Sequence, residues 1–257
     1  MKGKSSNMMK LPTKLGDEPL FDAVFELRFV PAVPAASSVL TGLFFQSLAE
    51  KGIVPEIEHL PARELPLAFR NQDPTWKYQP ITRLKYADFL INVGDFSIGV
   101  GCQMPYAGWS AFRIEILSAL KTALGTKLIT EIERYSVKYA DLIDKIPLDR
   151  QLSSINLEIN VGGHELSRNI FSLRAEIPQG DMLHIIQIAS NVTLLVPYNR
   201  TGLLIDVDTI IQWKTSDFQG FLEEAPERLD RIHLENKKMF FKCLREETLR
   251  GLEPVYD

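Results

Sequence analysis

Phe89-Leu-Ile-Asn-Val93, Gly94-Asp95, Phe96-Ser-Ile-Gly-Val100 places two alternating apolar runs on either side of a Gly-Asp pair. Period-two alternation puts one set of side chains on a buried face, and a two-residue Gly-Asp loop suits a primed turn. The reading is a tight antiparallel hairpin. Downstream, Trp109, Phe112, Ile116, Leu120 and Leu124 recur at helical spacing until Gly125, which predicts an amphipathic helix over 108–124. Upstream, the prolines at 55, 61, 66, 74 and 80 keep the strands of residues 55–86 short or at an edge. Before them, Ser37 or Ser38 caps a helix carrying Leu40, Leu43, Phe44 and Leu48, with Gly52 just past its end. Residues 23–30 set Phe25, Leu27 and Phe29 against Glu26 and Arg28, a half-buried strand stopped by Pro31 and Pro34.

The second half follows a similar order. Over residues 128–139 the apolar parity changes from Leu128 and Ile132 to Tyr135, Val137 and Tyr139, which predicts a long strand with a bulge near Glu133. Alternation returns at 155–161, 171–177, 182–190 and 203–208, four strands of an antiparallel meander. Ser216 and Asp217 cap a last helical region, with Pro226 in the first turn of its main segment. Its stripe of Leu229, Ile232, Asn236, Met239, Phe240, Cys243 and Leu244 runs towards Gly251. Each half closes on a helix that starts near a tryptophan, Trp109 with Phe112 and then Trp213 with Phe218 and Phe221.

The expected fold is α+β: two tandem β-α-β4-α-like repeats, the second with a shortened first helix, forming antiparallel sheet covered by helices on one face. Residues 1–10 read as a flexible N-terminal tail. Residues 11–139 form the first half with the strand entering the second, and residues 140–257 the second half with its long C-terminal helix. Loop 140–154 is the expected boundary. Beyond Gly251, Leu252, Val255 and Tyr256 continue the apolar character with little chain left to cover them, so they are expected to meet a second chain.

Composition removes several functions. Of 257 residues, 45% are hydrophobic and 24% charged, enough for a substantial core. The net charge of −4 divides into +1 for residues 1–125 (13 basic, 12 acidic) and −5 for residues 126–257 (16 basic, 21 acidic), so neither half attracts a phosphate backbone as a whole. Two cysteines, Cys102 and Cys243, give no disulfide framework and no zinc spacing, and read as thiols of a cytoplasmic protein. No apolar run reaches membrane-spanning length, so no membrane partner is expected. The opening MKGKSSNMMK is basic but lacks the apolar segment of a signal peptide.

Few residues suggest chemistry. Asp206-Val207-Asp208 puts two carboxylates on one strand face, the beginnings of a metal-dependent hydrolase, although nothing at a fixed spacing completes a ligand set. Lys77-Tyr78, Arg83 and Lys85-Tyr86 interleave base and aromatic as a strand contacting single-stranded nucleic acid would. Histidines 59, 164, 184 and 233 have no zinc-hydrolase spacing, and His184 shares its parity with Met182, Ile186 and Ile188, as a core histidine does. The Gly162-Gly163 and Gly99-x-Gly101 pairs match no phosphate or dinucleotide loop. Neither cysteine and no serine has a nucleophile's context. No catalytic, cofactor-binding or metal residues are assigned, and no cofactor is expected.

The stretch Leu11-Pro12-x-Lys14-Leu15, followed by Pro19-Leu20-x-x-Ala23-Val24-Phe25-Glu26-Leu27-Arg28-Phe29, resembles the opening of a sporadically distributed family of uncharacterised bacterial proteins of about this length. Trp109-x-x-Phe112, Glu133-Arg134-Tyr135-Ser-Val-Lys-Tyr139, Leu204-Ile205-Asp206-Val207-Asp208 and Leu229-x-x-Ile-His233-x6-Phe240 extend the similarity along nearly the whole chain. One departure is Ala140-Asp141, where the family pattern has a Tyr-Ile-Asn-like run; it leaves the role of that strand end unassigned. The resemblance carries no catalytic residue. Patchy distribution implies an accessory locus, such as a defence or toxin–antitoxin-like system. The expected function is a non-enzymatic protein-binding or assembly subunit, with a protein partner or self-association. The alternatives are nucleic-acid binding on the sheet face and a metal-dependent hydrolase using Asp206 and Asp208.

Overall fold

The computed structural model describes residues 10–166, 168–195 and 198–256. Its elements in chain order are β1 (Lys14–Leu15), β2 (Leu20–Pro31), α1 (Ala36–Ala49), β3 (Glu56–His59), α2 (Leu67–Gln72), α3 (Pro74–Lys77), β4 (Thr82–Tyr86), β5 (Phe89–Val93), β6 (Ser97–Cys102), α4 (Trp109–Leu124) and β7 (Ile129–Ile143). They continue as α5 (Leu148–Gln151), β8 (Asn160–Val161), β9 (His164–Glu165), β10 (Ser172–Gln179), β11 (Met182–Leu194), β12 (Arg200–Thr215), α6 (Phe218–Cys243), α7 (Glu246–Gly251) and β13 (Pro254–Val255). Nine strands make one sheet in the order β10-β11-β12-β7-β2-β6-β5-β4-β3, every neighbouring pair antiparallel. The α+β class and the helices gathered on one face are as the sequence implies.

Alternation decides which face is covered. On β2, Ala23, Phe25, Leu27 and Phe29 are buried while Val24, Glu26 and Arg28 are only half so. Tyr135, Val137 and Tyr139 of β7 stand opposite Leu27, Phe25 and Ala23, and join the same buried layer. Against it pack Leu40, Phe44 and Leu48 of α1, Phe112, Ile116 and Leu120 of α4, and Phe221, Leu229 and Ile232 of α6. Each such side chain contributes about 1.5–3 kcal/mol by leaving water. A second apolar cluster lies towards the far end of α6, where Phe240, Phe241 and Leu244 meet Ile143, Ile155, Leu203 and Ile205.

The chain crosses this sheet in the same way twice. From β2 it passes to the outer strands and meanders back through β4, β5 and β6 to pair with β2; from β7 it passes outward and returns through β10, β11 and β12 to pair with β7. The two orders are compatible with the expected repeat. They differ in strand number, because the segment predicted at 155–161 is no sheet strand. Only β8 pairs, with β9, in a separate ribbon. Ile155 is fully buried in a bridge to Leu244, and Asn156 donates to the carbonyls of Lys242 and Leu244, so this stretch closes the end of α6 instead.

Three other details depart from the sequence reading. The hairpin closes on Gly94 and Ser97, with Val93 opposite Ile98, so Asp95-Phe96 and not Gly94-Asp95 forms the turn. The buried Asp95 carboxylate sets this register: it accepts from Ser37 Oγ at 2.6 Å and pairs with Arg70 at 2.6 Å. Pro226 lies inside α6 rather than in its first turn, because Asp217 caps the helix by accepting from the Gly220 amide. Strand β7 runs on to Ile143, through the expected boundary. The bulge at Glu133 is present: Arg28 faces Arg134 and Phe29 faces Ile132, leaving Glu133 extra. Among the described residues no helix is long and apolar enough to cross a membrane.

Candidate functional site: a cleft under the N-terminal strap

Residues 12–20 lie as a strap along the body. Its strand β1 pairs with β13, so the Thr13 amide donates to Val255 and the Gly16 amide to Glu253, and the Pro19 carbonyl accepts from the Leu142 amide. Beneath the strap is a cavity of about 420 Å³. The strap contributes Glu18 and Leu20, the loop before α4 contributes Tyr106, and α4 begins with Trp109. Strand β7 supplies Tyr139 and Asp141; α6 supplies His233, Asn236 and Lys237, with Phe240 and Phe241 one turn further on. The cleft sits between the two apolar clusters, since Tyr139 belongs to one and Ile143, four residues along the same face, to the other. The residue between them on that face is Asp141.

One wall is a hydrogen-bonded aromatic chain. The Tyr106 and Tyr139 hydroxyls are 3.1 Å apart, and Tyr139 Oη is 3.1 Å from His233 Nδ1. The His233 ring stacks on Trp109 with centroids 4.1 Å apart and an interplanar angle of 5°. Trp109 Nε1 donates to Asp230, which also pairs with Arg113. Burial, assisted by the nearby Lys237 charge, lowers the His233 pKa to about 4, so its imidazole is neutral at pH 7. Burial also raises the Tyr139 hydroxyl well above its usual range. These rings hold shape and carry no charge.

Beside these rings the lining carries two carboxyls, Asp141 and Glu18. Asp141 is 6% exposed, and its carboxyl has no hydrogen-bond or ion-pair partner among the described residues. Burial, then the charges of Glu18 and Asp206, push its pKa well above the carboxylate range. Glu18 is raised as well, by burial, against the pull of Lys14. Asn236 directs its amide nitrogen to the Val137 and Val207 carbonyls and to Thr209 Oγ1, leaving its Oδ1 buried without a donor. Lys237, partly desolvated on α6, has a lowered pKa and forms no salt bridge among the described residues. A buried acceptor without a partner costs free energy, so the cleft is strained towards receiving donors.

A larger cavity, of about 520 Å³, lies on the other side of Pro19 among Arg150, Arg200, Arg245, Asp17 and Asp144. Two ion pairs lie in it, Arg200 with Asp144 at 2.6 Å and Lys145 with Asp17 at 2.7 Å, while Arg245 donates to the Ile155 carbonyl. No aromatic side chain is among its described lining residues, which separates it from the Asp141 cleft.

The residues singled out in the sequence lie elsewhere. Asp206 and Asp208 do share a face, the sheet face away from the helices, but Lys138 lies beside them, 3.2 Å from Asp206 Oδ2. Burial raises both carboxyls, Asp208 to about 6. Among the described residues no group of three potential ligands could hold a metal ion. Arg83 and Lys85 lie on the same bare face and pair with Glu58. Tyr86 points the other way, into the core, and donates to Glu115. Lys77 ends α3 and Tyr78 follows it, lying under the Arg28 guanidinium. The five residues thus form no single surface. At the C-terminus Leu252 is buried in the second cluster, and Val255 pairs within the chain while Tyr256 stays exposed, so the tail docks on its own body.

Sequence reading missed Asp141 although a signal existed. Alternation along β7 runs Tyr135, Val137, Tyr139, Asp141, Ile143, a carboxyl at an apolar position, but the strand was expected to end at 139. No family model matches the chain, and no curated protein shows significant similarity to it.

Proposed function

We propose that the protein is a non-enzymatic binding subunit, a protein-binding or assembly component of a bacterial accessory system, and that the cleft under the strap is where it holds its ligand group. The observation that carries this reading is Asp141. Chains rarely retain a carboxyl that is nine-tenths buried and unpaired, because hydrogen-bonding capacity left unmade in the interior costs about 1–3 kcal/mol. Such a group is retained where it serves binding at the expense of stability. The neutral histidine and the two high-pKa tyrosines beside it suit a shaped wall.

The test is the stability of Asp141→Leu. A volume-similar apolar side chain relieves the unpaired carboxyl, so the free variant is expected to be about 1–3 kcal/mol more stable at pH 8 in chemical denaturation. A loss of stability of the size of an ordinary core substitution would make Asp141 a structural residue and remove the reading.

A further inference from the structure

Three acceptors of the cleft stand out. Asn236 Oδ1 is buried without a donor, and the Asp141 and Glu18 carboxyls line the same cleft without a salt bridge among the described residues. The rings of Tyr106, Trp109 and Tyr139 and the side chains of Phe240 and Phe241 supply the apolar lining. Acceptors at one end and aromatic faces along the walls are the complement of a cation on an apolar stem. From this juxtaposition we infer that the cleft binds an organic cation, a primary ammonium or guanidinium group, with its head against Asp141 and Glu18 and its stem among the aromatic side chains. The inference rests on the cleft being the binding site and adds the ligand class. A free amine and a basic side chain of a polypeptide share this chemistry.

A proton accompanies such binding. The titratable groups facing Asp141 are Glu18 and Lys14 from the strap, Tyr106 from the loop, Tyr139 from its own strand, and His233 and Lys237 from α6, with Asp206 acting through the sheet. Burial and the two neighbouring carboxylates raise the Asp141 pKa, so its carboxyl holds a proton more tightly than an ordinary aspartate. A cation pairs with the ionised form, so its arrival expels the proton. Affinity therefore rises with pH until the free carboxyl ionises by itself. Lys237 does not fill the role: it forms no salt bridge among the described residues, and its pKa is lowered by burial alone, without a carboxylate to raise it.

Isothermal titration of the full chain with benzylamine, benzyl alcohol and benzoate reads this directly. The amine is expected to bind at least about tenfold more tightly than the alcohol, with benzoate weaker still. Its affinity should increase with pH, and titration in buffers of different ionisation enthalpy should show release of protons on amine binding. Asp141→Asn should abolish both the preference and the proton release. The proton count is taken on the unaltered chain, so it decides the matter even where the variant folds poorly. Two competing hexapeptides, one with a free lysine and one with acetyl-lysine, separate the sources: competition by the first alone assigns the cation to a polypeptide, and competition by neither assigns it to a free amine. Tighter binding of benzyl alcohol or benzoate, lost in Asp141→Leu, overturns the cation and leaves the cleft as a binding site. Absence of binding by all three, together with a destabilised Asp141→Leu, overturns both.

Discussion

Asp208 shows what the bare sheet face does to a single carboxyl. It lies between Ile185 on one neighbouring strand and Lys138 on the other, with Glu26 and Arg134 acting on it from nearby. Burial outweighs the cations, and its pKa rises to about 6 from a usual 3.8. The native state therefore holds the proton more tightly than the unfolded chain. Stability is unaffected below about pH 4, falls as the pH rises through the interval to 6, and keeps the full penalty above it. Asp208→Asn should accordingly be more stable than the natural protein at pH 8, by up to about 3 kcal/mol, and equal to it near pH 4. Urea denaturation at the two pH values checks this; an equal difference at both would mean that Asp208 titrates normally. Asp95 is the opposite case, a carboxylate given every partner it needs by Arg70 and Ser37. Neither environment was legible in the sequence, because the residues that decide each one are distant along the chain.

The pairing of β1 with β13 is the element that differs most from expectation. Sequence reading gave the C-terminal apolar residues to a second chain, since nothing local could cover them. The structure covers Leu252 with the second apolar cluster and closes the last strand on the strap. Removal of residues 251–257 should therefore destabilise the chain by about 2–4 kcal/mol, the cost of losing a buried leucine together with its neighbours' packing. Thermal unfolding at low concentration measures it, and an unchanged midpoint would return the tail to an interface role. Elements whose burial follows their own alternation were readable: β2, the β5–β6 hairpin as an element, α4, α6 and the bulge at Glu133. Unreadable were features set by partners far away in sequence, such as the hairpin's turn, drawn over by Arg70 and Ser37, and the 155–161 segment, taken up by the end of α6. Asp141 falls between the two. Its parity was visible, but its isolation depends on strap, loop and helix meeting there.

Across the whole molecule, β2 and β7 are adjacent at the centre of the sheet, so neither half has a complete sheet without the other. The helices cross the seam as well: α4 meets α6, with Trp109 and Arg113 both held by Asp230. Unfolding should be a single transition, with tryptophan fluorescence and far-ultraviolet circular dichroism coinciding, and fragments 10–127 and 128–256 should not fold alone. Separated transitions, or a cooperatively folding fragment, would show two independent units. The outer strands are guarded: β3 is short and acidic, and β10 carries Pro178. The central edge has no such protection while the chain is being made. On the ribosome β2 can receive β6 before β7 has been synthesised, and until then its Val24–Val30 stretch offers bare amides and carbonyls beside the apolar row Phe25, Leu27 and Phe29. Two nascent chains at that stage present identical edges to one another. Slow translation or crowding on a polysome would pair them, and a chaperone that shields this one strand until residue 143 emerges would decide the yield of folded protein.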